Sequence, residues 1–102
     1  MACHSLRRRS NEIMANVAQG VVIYTTPWCP YCIRARGLLD SKGVNYTHID
    51  ARDSKNRAEM EKLSRRRTVP QIWINGEHIG GCDELYRLER SGALDAKLAA
   101  AS

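Results

Sequence analysis

No stretch of this sequence approaches the roughly eighteen consecutive apolar residues that a membrane-crossing helix needs. Its longest purely aliphatic run, Val21-Val22-Ile23, is the size of a strand, and no membrane partner is expected. Also missing is a charged segment followed by an apolar core and a small-residue cleavage site, so secretion is not expected and the compartment is read as a reducing cytoplasm. The formal net charge is +5, but no aromatic residues interleave with Arg7-Arg8-Arg9 or Arg65-Arg66-Arg67 to stack on bases. Nucleic acid is therefore not expected as a partner, and the basic runs read as solvated faces or as a site for a small anionic ligand.

What is present is an ordinary globular composition. The 102 residues are 43% hydrophobic and 26% charged, and at this length a single core can hold a fold. One domain, monomeric, is expected over residues 20–102. Residues 1–19 are polar and basic without apolar periodicity, and are expected to form a disordered extension. Met14, opening Met-Ala-Asn-Val, would also serve as an initiator, and the Arg-rich, acid-poor composition is compatible with a transit peptide.

Within the domain the apolar pattern alternates in period. Val21 to Tyr24 reads as a strand buried on both faces. Cys32, Ala35, Leu38 and Leu39 then fall at helical spacing, with Gly43 as a left-handed stop. Val44 to Ile49 resumes a strand pattern, so the segment is β-α-β with parallel strands. Ser54 to Ser64 reads as an exposed helix capped by Asp53 or Ser54, with Met60 and Leu63 facing inward. Gln71-Ile72-Trp73-Ile74 and Glu77-His78-Ile79 flank Asn75-Gly76, the pair that a type I′ turn requires. A helix carrying Cys82, Leu85 and Leu88 follows Gly80-Gly81 and stops at Gly92, and Leu94 and Leu98 mark a short last helix. The order β-α-β-α-β-β-α predicts an α/β thioredoxin fold, a mixed four-stranded sheet flanked by helices.

Of four cysteines, Cys29 and Cys32 stand three positions apart at the predicted start of the first helix. That spacing brings two sulfurs within about one turn, close enough to close a disulfide. Free cysteine, with a pKa of about 8.5, is a poor nucleophile at neutral pH, whereas a helix N-terminus offers unpaired N–H groups and a positive dipole end that favour thiolate. Cys29 is placed there as the attacking thiolate. Cys32, one turn inside on the apolar face of Ala35 and Leu39, is expected to be less exposed and to act as the resolving thiol. Pro30 suits the first helical position. Two other readings of the pair stand beside this one: half of a zinc site, with His78 and Cys82 as the best remaining ligands about fifty residues away, and a static disulfide.

Cys29-Pro30-Tyr31-Cys32, Thr68-Val69-Pro70 and Gly80-Gly81-Cys82-Asp83, in this order and at these separations, resemble the dithiol glutaredoxin family, its small bacterial members in particular. The resemblance spans about Gly20 to Leu98. It implies a glutathione-dependent oxidoreductase that reduces protein disulfides and glutathione mixed disulfides, with glutathione as reducing co-substrate, no resident cofactor and no metal. It also implies that Tyr31 packs against bound glutathione and that Val69 pairs its backbone with the cysteinyl unit ahead of a cis bond at Pro70. Without the resemblance, Thr68-Val69-Pro70 reads only as an extended lead-in to the hairpin. Gly81, Cys82 and Asp83 open a helix whose N–H groups suit the γ-glutamyl carboxylate, and Asp83 suits the ammonium or serves as a plain first-turn carboxylate. Cys82 either packs or is open to glutathionylation.

Two departures from the family pattern stand out. Many relatives carry a lysine three residues before the nucleophile, where this chain has Thr26, so recognition of the glycine carboxylate is expected to fall to Arg66 with help from Arg65 or Arg67. Trp28, beside Pro27, is similar to the Trp-Cys of thioredoxins, and reads either as part of a protein-docking surface or as a lid over the helix start. Trp73 reads as core. The competing functions are a thioredoxin-like reductase fed by a flavoprotein, and an iron–sulfur cluster carrier bridging two chains through Cys29 and glutathione.

Overall fold

The computed structural model describes residues 19–101; the extension expected ahead of Gly20 lies outside them except for Gln19. At the centre is β1 (Val21–Thr25), buried along its whole length. Its burial follows from its place in the sheet. Parallel β2 (Tyr46–Asp50) lies on one side and antiparallel β3 (Gln71–Ile74) on the other, and β4 (Glu77–Gly80) completes the order β2-β1-β3-β4. A strand with neighbours on both edges and helices on both faces has no solvent side, which is why Val21 to Tyr24 read as an unbroken apolar run.

The two faces carry different helices. Val21, Ile23, Ile72 and Ile74 meet α1 (Pro30–Ser41), α3 (Cys82–Ser91) and α4 (Ala93–Ala101) through Ala35, Leu39, Leu85, Leu94 and Leu98. On the other face Val22, Tyr24 and Trp73 pack with Met60 of α2 (Ser54–Ser64), with Leu63 and Val69 at the margin. Trp73 is core as expected, edge-on to Tyr24 with ring centroids 5.4 Å apart. This is the expected mixed four-stranded sheet with helices on both faces. Among the described residues no helix is long and apolar enough to cross a membrane.

The turn chemistry follows the residues. Asn75 and Gly76 adopt φ of 53° and 86°, the positive values that a two-residue hairpin of this type requires. Asp53 caps α2, accepting from the amides of Lys55 at 2.9 Å and Asn56 at 3.1 Å. One boundary moves: β2 begins at Tyr46 rather than Val44. Pairing starts where β1 starts, with Val21 opposite Tyr46, and Val44 packs against the core ahead of the ladder.

Candidate active site

The chain leaves the carboxyl end of β1 and turns through Thr26, Pro27 and Trp28 into α1, with Cys29 at the N-cap and Pro30 in the first turn. Proline fits because that position has no intrahelical acceptor for an N–H. No side chain caps α1 and no acidic residue sits in its first turn, so the free amides and the positive end of the helix dipole are left for the Cys29 sulfur. Cys29 is half-buried, and its Sγ donates to the Val69 carbonyl at 3.7 Å.

Cys32 differs sharply. It is 1% exposed, and burial pushes its thiol up to about 12 despite hydrogen bonds with Thr26 that act the other way. Thr26, standing where many relatives have a lysine, thus contacts the second cysteine. Cys29, Cys32 and Cys82 are all free thiols. Trp28 is 85% exposed, too open to pack as a lid over the helix start, and Tyr31 and Ile33 in the first turns of α1 are exposed apolar side chains as well.

Beside the helix start lies a groove of about 300 Å³. One rim is Tyr31, and one wall is the segment between α2 and β3, where Arg66, Thr68, Val69 and Pro70 line the space and the Val69–Pro70 peptide bond is cis. The opposite wall is the start of α3, formed by Gly81, Cys82 and Asp83. Gly81 is the N-cap and supplies no side chain to bond the first amides of α3, which leaves them available to an anion. Cys82 belongs to the core as well as the groove, and burial raises its thiol above the ordinary value.

Tyr31, Arg66, Thr68, Val69, Pro70, Gly81, Cys82 and Asp83, eight residues from the three motifs and the basic run, therefore border one groove next to the nucleophile. A ninth, Glu84, was not anticipated. Its carboxylate accepts from the Gly81 amide at 2.7 Å and from Arg66 Nη1 at 2.8 Å, tying the two walls together. The Gly81 bond, aided by Arg66, holds its carboxyl below the usual range. Its signal was legible: a glutamate three residues after an N-cap commonly reaches back to the cap amide. Arg65 and Arg67, named as possible helpers, do not line the groove.

The zinc reading finds no support in the geometry. His78 turns to Gln71 and Trp73, and among the described residues no three of His, Cys, Asp and Glu gather as a metal would need.

The glutaredoxin family model matches residues 21–79. The chain is similar to a glutaredoxin of Pseudomonas aeruginosa, 58% identical over 82 residues that cover 78% of this chain and 96% of that protein. It is 54% identical over 87 residues to glutaredoxin 3 of Escherichia coli K12, covering 83% of this chain and 99% of the relative. Among solved structures, a buckwheat glutaredoxin–glutathione complex superposes with a TM-score of 0.81 at 28% identity, covering 96% of this chain and 94% of that one. A dithiol at an uncapped helix start beside this groove, together with matches of this extent, leads to one conclusion: the chain belongs to the glutaredoxin family of glutathione-dependent thiol–disulfide oxidoreductases.

Proposed function

We propose that Cys29 carries the reaction and that the groove holds the glutathionyl half of the substrate. The Cys29 thiolate attacks the glutathione sulfur of a mixed disulfide; the S–S bond breaks, the target leaves as a thiolate that takes a proton, and Cys29 becomes glutathionylated. A second glutathione thiolate then attacks the glutathione sulfur of that new mixed disulfide, giving glutathione disulfide as the Cys29 thiolate leaves. With a protein disulfide, Cys29 forms a mixed disulfide with one target sulfur. Cys32 then gives up its proton, attacks Cys29 and releases the reduced target, leaving Cys29–Cys32 oxidised until two glutathiones return it to the dithiol.

The observation that carries this reading is the convergence of the eight groove residues on the side where Cys29 Sγ meets Val69. In it the α3 amides hold the γ-glutamyl carboxylate, Asp83 holds the ammonium, Val69 pairs its backbone with the cysteinyl unit, and Tyr31 covers the ligand. Arg66, the cation of the groove wall, takes the glycine carboxylate in place of the lysine missing at Thr26. Trp28 and Ile33 lie outside the groove, where a disulfide-bonded or glutathionylated protein would rest. A thiol-rich reducing compartment such as the cytoplasm suits this cycle.

The test supplies the chain with a glutathionylated peptide under two reducing systems. Turnover is expected with glutathione and glutathione reductase. Turnover only with a flavoprotein thioredoxin reductase would instead favour the thioredoxin-like function.

A further inference from the structure

The groove wall between α2 and β3 is not part of the sheet, yet three successive carbonyls in it are each held by a side chain. Ser64 Oγ donates to the Arg66 carbonyl at 3.1 Å, and Arg57 Nη2 donates to that of Arg67. Gln71 Nε2 donates to the Thr68 carbonyl at 3.0 Å and to Thr68 Oγ1 at 3.3 Å. Ser64 and Arg57 reach from α2; Gln71 reaches from the sheet and is fully buried, the polar member of a strand otherwise made of Ile72, Trp73 and Ile74.

A buried amide in an apolar strand is costly unless both its ends are bonded. Here they are. With the nitrogen end on Thr68, the oxygen end faces His78 Nε2 at 2.7 Å, so the imidazole must be the donor in that bond. His78 in turn lies against the Trp73 ring, with centroids 4.8 Å apart. The orientation of the Gln71 amide is thereby determined from the core outward.

The consequence follows from peptide geometry. The Thr68 C=O and the Val69 N–H share one peptide unit, and in a trans unit they point in opposite directions. Drawing the carbonyl inward to Gln71 turns the Val69 N–H outward, where no protein acceptor among the described residues takes it. We infer that Gln71, oriented by His78, is a positioning residue for glutathionyl substrates, because it turns the Thr68–Val69 peptide so that its N–H faces the groove.

This inference rests on the groove reading above, and one experiment separates the two. Gln71→Met keeps the volume and removes the bonds; His78→Phe keeps the ring over Trp73 and removes the donor; His78→Gln restores a donor nitrogen at similar reach. Each is assayed for KM with a glutathionylated peptide, for the rate of Cys29 alkylation by iodoacetamide, which needs no groove contact, and for thermal melting. Gln71→Met is expected to raise KM about tenfold, the size of one lost hydrogen bond, while alkylation of Cys29 stays within about twofold. His78→Phe is expected to raise KM in the same direction, and His78→Gln to return it to the wild-type value. A folded Gln71→Met with unchanged KM overturns the inference, as does a KM and an alkylation rate that worsen together. Should Gln71→Met not fold, the His78 pair decides: equal KM values for His78→Phe and His78→Gln overturn it. Absence of turnover in the wild-type chain would instead overturn the groove reading.

Discussion

The two cysteines of the pair are one helical turn apart but sit in different surroundings. Cys29 has an uncapped helix start and a neighbouring carbonyl; Cys32 has the apolar side of α1 and almost no solvent. Their spacing and the proline between them were legible in the sequence because the placement depends only on local helix rules. Glu84 and Thr26 were less so: the contact of Glu84 with Arg66 joins residues 18 positions apart, and only the folded chain brings those walls together. The same contact bears on Arg66, whose guanidinium is half-exposed and already shared with a carboxylate. Arg66→Ala is expected to raise KM for a glutathionylated peptide about three- to fivefold, the scale of a partly screened charge contact. Steady-state kinetics checks this, and an unchanged KM would remove Arg66 from the carboxylate site.

At the scale of elements, the strands and helices were readable where burial has a simple period. β1 is buried throughout because both its faces are covered, and Asn75-Gly76 announced the hairpin through the positive φ values both residues adopt. The start of β2 was misjudged because Val44 is apolar for a reason unrelated to pairing: it fills the core before β1 offers a partner. The segment from Arg65 to Pro70 had no period to read. Arg65 leaves α2 in a left-handed conformation, φ 60°, and the rest is held by side chains from two elements. The start of α2 rests on Asp53, whose carboxylate takes two amides. Asp53→Ala is expected to cost about 1 kcal/mol, seen as a fall in melting temperature of roughly 5 °C; no change in melting would show that water replaces the cap.

At the scale of the molecule, two groups that hold their protons tightly are buried in different layers, Tyr24 under α2 and Cys32 in α1. Burial, with Glu59 adding to it, holds the Tyr24 hydroxyl up at about 12 from an ordinary 10.0, and burial pushes Cys32 to about 12 from 9.0. A group whose proton is held more tightly in the fold stabilises the fold fully below its unfolded pKa, and that stabilisation is lost as pH rises toward the folded value. Stability to urea is therefore expected to fall between about pH 9 and about pH 12, with Cys32→Ala flattening the lower part of the decline. A flat profile across that window would contradict the burial of these groups.

The pair's asymmetry also decides the chemistry, and the measurement closest to it is turnover of a glutathionylated peptide by Cys29→Ser and Cys32→Ser variants with glutathione as reductant. Cys32→Ser is expected to remain active, since the cycle on a mixed disulfide needs one sulfur, and Cys29→Ser to lose turnover altogether. Activity that survives the loss of Cys29 would contradict the account.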